Sequence, residues 1–242
     1  MISLEHIRHS LAHLLAAAVK ELYPNAKPTI GPAIENGFYY DFANLKISDE
    51  DLVKLEEKMR ELLPSWTEFS HKEVNEKEAK ATFKGNQFKE ELIDEIVSRG
   101  ETLTLYTSGG FTDLCRGGHS EYPAKEIKSD SFKLTHTAGA YWRGDEKNPQ
   151  ITRIYGLAFA TKKELDAYII QLEEAKKRDH KVLGPALDLF TFSPLVGSGL
   201  PLWTPKGTML RDTLDSFVWQ LRKDQGYERV DIPHITKKDL YE

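Results

Sequence analysis

Arg8-His9-Ser10-Leu11-Ala12-His13, near the start of a 242-residue chain, is the stretch from which the rest can be read. On an idealised helix Ile7, Leu11, Leu14, Leu15, Ala18 and Leu22 fall within an arc of about 100°. His9 and His13 point to nearly the opposite side and, being four apart, lie one above the other. The helix therefore offers one face to a core and a second face carrying two imidazoles. The only cysteine comes much later, in Cys115-Arg116-Gly117-Gly118-His119. The rest of the chain reads as a scaffold that brings these two segments together.

The length admits one large domain or two modest ones, and 40% apolar residues suffice for an ordinary soluble core. No run approaches the ~20 apolar residues of a membrane span, and no basic-then-apolar segment opens the chain, so neither a membrane nor a secretory route is expected. One cysteine cannot close an internal disulfide, which fits a reducing compartment and a cytoplasmic location. The net charge of -5 gives no general attraction for nucleic acid, so RNA would have to meet a local basic patch.

The first helix is expected over Leu4–Tyr23, with Ser3 as N-cap and Pro24-Asn25 as its stop. Asn36-Gly37 between apolar segments signals a hairpin, with Phe38, Tyr40 and Phe42 on one strand face as core or as a pocket wall. A second helix starts at Ser48 with Asp51 as capping-box acid, stops at Pro64, and carries Leu52, Leu55, Met59 and Leu62 as a stripe. A short helix near Lys77–Phe83 ends at Gly85. The next helix, from Asn86 to Gly100, buries Phe88, Leu92, Ile93 and Ile96. Lys89 falls inside that arc and in the first turn, where the helix dipole disfavours a cation. It either snorkels to solvent or marks a site. Thr102–Tyr106 alternates as a strand, and Gly109-Gly110 turns the chain into Asp113-Leu114-Cys115. The glycine pair Gly117-Gly118 makes Cys115–His119 a loop whose backbone can approach a ligand. Phe132–Thr135 and Ile151–Ala160 read as strands. Lys163–Lys181 is a charged amphipathic helix with the look of a spacer. A short strand over Leu187–Phe192, a helix over Gly207–Asp224 with Leu210, Leu214, Phe217, Val218 and Leu221 inward, and a strand over Glu228–Ile232 are too little for a closed core. They read as the opening of a second domain.

Two histidines on one helical face and a Cys-x-x-x-His loop could form a four-ligand soft site for zinc. The same groups could instead surround a water and a polarised carbonyl, because a neutral imidazole suits general-base work near neutral pH. Each segment alone is a weak signal, and a lone His-x-x-x-His on a helix is more often a solvated face.

Arg8-His9-Ser10-x-Ala12-His13-Leu14-Leu15, Asn36-Gly37-Phe38-Tyr39-Tyr40-Asp41, Asp113-Leu114-Cys115-Arg116-Gly117-x-His119 and Ala138-Gly139-Ala140-Tyr141-Trp142-Arg143-Gly144-Asp145 closely resemble, in this order, threonyl-tRNA synthetase of the bacterial type. The resemblance covers essentially the whole chain. It implies an α+β fold in three parts. Residues 1–160 would be an editing domain of mixed or antiparallel sheet packed with helices, and 161–185 a linker helix. Residues 186–242 would be the start of a class II catalytic domain, with Gly207–Asp224, Glu228–Ile232 and Pro233 matching the first class II motif, which serves dimerisation. The family's small ubiquitin-like N-terminal domain is expected outside this chain. So are the later motifs for ATP and the amino acid and the zinc ligands of the catalytic domain, so these 242 residues alone are not expected to aminoacylate tRNA. Gly118 stands where many relatives have proline, which is expected to loosen the loop.

The reaction that the resemblance implies is hydrolysis of the ester of seryl-tRNA carrying the threonine anticodon. Serine is threonine without one methyl, and such a difference supplies only ~1–3 kcal/mol of discrimination in a binding pocket, so a second, hydrolytic site is needed. By the same resemblance His9 and Lys89 position or activate the water, and His13, Cys115 and His119 shape the pocket. Asp113 would meet the substrate ammonium and Tyr40 the terminal adenosine. The partner is the acceptor end of tRNA(Thr), and the full-length protein would be a homodimer. Editing needs no cofactor, and ATP and zinc belong to the missing catalytic part. Two other readings stand beside this one. The alanyl-type editing domains hold zinc on a matching His/His/Cys/His set, here His9, His13, Cys115 and His119. The chain could also be a non-catalytic tRNA-binding or dimerisation module.

Overall fold

The computed structural model describes residues 3–197 and 199–231. The chain runs α1 (Leu4–Leu22), β1 (Lys27–Pro28), β2 (Ala33–Ile34), β3 (Gly37–Ala43), α2 (Leu52–Leu62), β4 (Ser70–Val74), α3 (Glu76–Thr82), α4 (Gln87–Ser98), β5 (Leu103–Ser108) and β6 (Phe111–Leu114). It continues through a short α5 (Pro123–Glu126), β7 (Phe132–Tyr141), β8 (Gln150–Ala158), α6 (Lys162–Lys177), α7 (His180–Ala186), β9 (Phe190–Thr191), β10 (Leu202–Trp203) and α8 (Pro205–Asp224). This is an α+β chain whose strand pairs are all antiparallel. It divides into two compact units, with the boundary between Ile169 and Ile170, inside α6. No helix of the described residues is long and apolar enough to cross a membrane.

The first unit is built on α1. Leu11, Leu14, Leu15 and Ala18 pack with α2 against the inner face of a sheet ordered β1-β3-β8-β7, with β2 added to β3. Phe38, Tyr40 and Phe42 share that inner face, as period-two geometry requires, and all are fully buried. Leu22, expected in the apolar arc, is 40% exposed because it lies at the end of the helix. The opposite side of α1 is not a solvated face either. Ala12, His13, Ala16 and Val19 are buried as well, so the helix is enclosed on all sides. A second sheet, β4-β5-β6, carries α3 and α4 through Ala79, Ile93 and Leu103.

Several local expectations are corrected. The hairpin between β2 and β3 turns at Glu35-Asn36, and Gly37 is already paired with Ile34. Gly37 is needed for close approach rather than for a positive φ: a Cβ there would stand 1.9 Å from the Gly156 carbonyl oxygen of β8. The strand expected over Phe132–Thr135 continues to Tyr141, with a register shift between Leu134 and His136, so half of the Ala138–Asp145 block is sheet. The single helix expected to Lys181 breaks after Lys177, because the Asp179 side chain caps a new helix at the Lys181 N–H.

In the second unit, Gly184 and Pro185 lie inside α7, and the Gly184 backbone sits against the Phe190 ring. Of the strand expected over Leu187–Phe192, Phe190 and Thr191 alone pair, with Trp203 and Leu202. Helix α8 starts at Pro205 under a Thr204 cap. Its Leu210, Leu214, Phe217, Val218 and Leu221 are exposed, not inward, since the described residues provide no layer over them. Glu228–Asp231 form no strand, and Ile232 and Pro233 lie outside the described residues.

Substituting Gly37→Ala should lower the unfolding midpoint of the first unit by the equivalent of roughly 2 kcal/mol or more, since backbone rather than a flexible side chain must give way. Gly85→Ala, with φ at +82° but open space around it, should cost only about 1 kcal/mol. Thermal unfolding of the two variants checks the order.

Candidate active site

Four elements deliver the polar groups that the sequence singled out. Helix α1 sets His9 and His13 one turn apart, with Nε2 to Nε2 3.1 Å. Strand β6 carries Asp113 next to its last residue, and the following loop folds back over α1. There the Gly118 carbonyl accepts from His9 Nδ1 at 3.2 Å, and the Ser120 N–H donates to Ser10 Oγ at 2.9 Å. Gly117 and Gly118 both take the left-handed conformation, φ 98° and 84°, which a side chain would resist. Strand β3 contributes Tyr40, and the first turn of α4 contributes Lys89. All seven candidates, His9, His13, Tyr40, Lys89, Asp113, Cys115 and His119, belong to one connected cluster.

At the closed end of the cluster, Asp113 is the common partner. Its Oδ1 pairs with the Lys89 ammonium and accepts the Leu114 N–H at 2.8 Å. Its Oδ2 stands 3.1 Å from His13 Nδ1 and accepts the Tyr40 hydroxyl. Lys89 Nζ also lies 3.3 Å from the Tyr40 oxygen. Lys89 is 2% exposed, so it does not snorkel to solvent. Ions withdrawn from water this far persist only when paired. Burial by itself would raise the Asp113 pKa, but Lys89 and His13 outweigh it and hold the carboxyl well below the usual range. Burial pushes the Tyr40 phenol up, so it stays protonated and donates. With four donors already on Asp113 and Tyr40 fully enclosed, a substrate ammonium would have to displace a protein donor, and an adenine would find no free face on Tyr40.

The other end is half-open. Cys115 Sγ lies 3.4 Å from His9 Nε2 and 3.4 Å from His119 Nε2. Burial works against a charge on both His13 and Cys115, and their hydrogen bonds reverse it. Asp113 and Cys115 raise His13 to about 9. His119 first, and then the charged His13, pull Cys115 down to about 3. Burial lowers His119, whose ring stacks on Phe69 at 4.1 Å and leans on Tyr106. The result is a line of alternating charge: Lys89 ammonium, Asp113 carboxylate, His13 imidazolium, Cys115 thiolate. The Gly118 carbonyl can only accept, so His9 Nδ1 carries a proton, and its unprotonated Nε2 faces His13 Nε2 at 3.1 Å and Cys115 Sγ at 3.4 Å. Phe69 and Tyr106, which clamp His119, were not found by sequence reasoning. One precedes an edge strand and the other sits on a short strand, and neither position breaks a pattern.

His9, His13, Cys115 and His119 also present four ligand atoms within 4.8 Å of one another. A tetrahedral zinc with N at about 2.0–2.1 Å and S at about 2.3 Å keeps its ligand atoms about 3.3–3.7 Å apart, so small side-chain shifts would suffice. The His13–Asp113 contact is the carboxylate support that ligating histidines use. The donor set fits such an ion, with these four residues as its holders.

Comparison with known proteins places these residues in a lineage. Residues 103–155, which include Asp113, Cys115 and His119, match the family described as threonyl and alanyl tRNA synthetase second additional domain. Over 99% of its length the chain is 51% identical to the threonine–tRNA ligase of Citrifermentans bemidjiense. It is 50% identical to that of Porphyromonas gingivalis over 96% of its length and 48% identical to that of Deinococcus radiodurans over 97%. These alignments cover 37%, 36% and 37% of the relatives, so the chain spans a little over a third of their length. The chain is thus similar from end to end to one stretch of the threonine–tRNA ligases, and the matched additional domain holds Asp113, Cys115 and His119, three of the seven residues of the polar cluster.

Proposed function

We propose that this chain is the proofreading part of a threonine–tRNA ligase and hydrolyses the ester of seryl-tRNA(Thr). The observation that carries this reading is the half-open mouth formed by His9, Cys115 and His119 at the end of a buried, charge-balanced line. Water adds to the ester carbonyl and passes its proton to His9 Nε2. The carbon–oxygen bond to the ribose then breaks, and that proton goes to the leaving ribose oxygen, giving free serine and an intact tRNA end. Lys89 and the charged His13 offset the negative charge of the tetrahedral intermediate from inside a dry site, where such charges act most strongly. Asp113 sets both cations in place and Tyr40 fixes its Oδ2, which the four existing donors favour over a direct contact with substrate. Cys115 and His119 narrow the pocket.

A zinc-dependent variant of the same reading is favoured by the compact His9, His13, Cys115 and His119 set. Those residues would hold the ion, which would supply Lewis-acid polarisation of the carbonyl. The metal-free form is preferred, because the Asn36–Asp41 and Ala138–Asp145 blocks follow the threonyl rather than the alanyl pattern.

The wider assignment rests on the relatives. The longer protein would join threonine to tRNA(Thr) with ATP, use zinc in its catalytic part, form a homodimer and work in the cytoplasm. Residues 1–160 would be the editing domain, 161–185 the linker and 186–242 the start of a class II catalytic domain. The exposed apolar residues of α8 suit a helix whose remaining layer lies elsewhere.

With seryl-tRNA(Thr) as substrate, His9→Ala should cut turnover about 100-fold or more. His9 is the cleaner probe, because removing Lys89 strands a buried carboxylate. Full activity in folded His9→Ala and Lys89→Ala would reject the assignment. Protein purified without added zinc should stay active under a chelator; loss of activity, restored by zinc alone, would select the metal-dependent variant. In a pH titration the thiolate absorbance should appear as pH rises through about 3, far below the 9.0 of an ordinary thiol, and should be absent from Cys115→Ser.

A further inference from the structure

The Ala138–Asp145 block touches none of the groups in the cluster, yet its tip is fastened to the helix that carries Lys89. Trp142 is buried against Phe88, edge to face at 5.2 Å, and its Nε1 donates to Glu91 at 2.9 Å. Arg143 takes φ 58°, a conformation that residues with a Cβ avoid. Its guanidinium reaches two acids on α4, Nε to Glu91 at 2.8 Å and Nη2 to Glu95 at 2.8 Å. On a helix, Phe88, Glu91 and Glu95 fall within an arc of roughly 60°, and Lys89 projects roughly 100–160° further round. The tip therefore holds α4 along one side while Lys89 points from another. At the start of the helix, Asn86 Nδ2 donates to the Pro28 carbonyl at 2.7 Å and fixes that end to β1. Ile93 packs the buried side of α4 on Ala79 and Leu103, so rotation about the helix axis is set between that contact and the grip of the tip. A turn of roughly 25° would carry the ammonium about 3 Å, a whole hydrogen-bond length.

We propose that the Trp142-Arg143 tip is the positioning element for Lys89: by gripping Phe88, Glu91 and Glu95 it sets the rotation of α4 and keeps the ammonium between Asp113 and Tyr40. Only the activity arm of the test rests on the hydrolytic reading above. The left-handed backbone at Arg143 is what allows one residue to reach both acids after the strand has ended. It also gives the Trp-Arg pair a part that no catalytic contact explains.

The test is amine acetylation of the full chain, with Lys89 quantified by peptide mass spectrometry, run beside seryl-tRNA(Thr) hydrolysis. In the parent chain Lys89, 2% exposed, is labelled slowly. Arg143→Ala should raise its labelling severalfold and lower kcat about tenfold or more with KM for tRNA unchanged, since misplacing a group by about an ångström costs that much. Arg143→Lys should recover part of both. Trp142→Phe, which keeps a ring on Phe88 and removes only the bond to Glu91, should shift labelling in the same direction and carries the test if Arg143→Ala fails to fold. A merely structural role would speed alkylation of Cys115 as well; positioning leaves Cys115 unchanged. Unaltered Lys89 labelling in the folded variants overturns the proposal. Raised labelling with full hydrolysis upholds it and refutes instead the part given to Lys89 in the reaction.

Discussion

A carboxylate shut away from water has to be surrounded by donors, and Asp113 is the group on which this chain's polar interior depends. Lys89, His13, Tyr40 and the Leu114 N–H each come from a different stretch of backbone and meet on its two oxygens. Removing any one of the charged partners would leave another ion buried without compensation, at a cost of several kcal/mol. The four must therefore form together or not at all. That condition ties α1, β3, α4 and β6 into one unit more strictly than apolar contact does. It also explains why the protonation states further out are what they are. A charged His13 follows from Asp113, and the Cys115 thiolate follows in part from the charged His13.

Enclosing α1 is what makes such a line possible. A helix with one face on a sheet would expose its histidines, and their charges would be screened. Here the inner face packs on β3 and β8 while the loop after β6 closes over the other, pinned at Ser10 and at His9. The first sheet and the loop after β6 thus close on α1 from two sides. At the reactive end His9, Cys115 and His119 are half-buried.

The second unit shows the opposite balance. Helix α8 is well capped by Thr204 and long, so its local signals suffice to form it. Its apolar stripe, however, remains exposed among the described residues.

From residue types and their spacing alone came the periodicity of α1, the capping box at Ser48 and Asp51, the inward face of β3, the turn at the glycine pair, and the candidates His9, His13, Cys115 and His119. Each of these is a local property, decided within one or two turns of backbone. Asp113 and a site role for Tyr40 came only with the family resemblance. Lys89 was legible only as an anomaly, a cation on an apolar arc, because nothing local states which carboxylate will neutralise it. The tertiary structure alone decided that Asp113 is an enclosed hub, that Tyr40 serves it, that Phe69 and Tyr106 clamp His119, and that Gly37 exists for a neighbouring strand rather than for its own turn. These depend on groups separated by tens of residues arriving within a hydrogen bond of one another. Sequence periodicity carries the face a side chain points to; it does not carry the partner that will be found there.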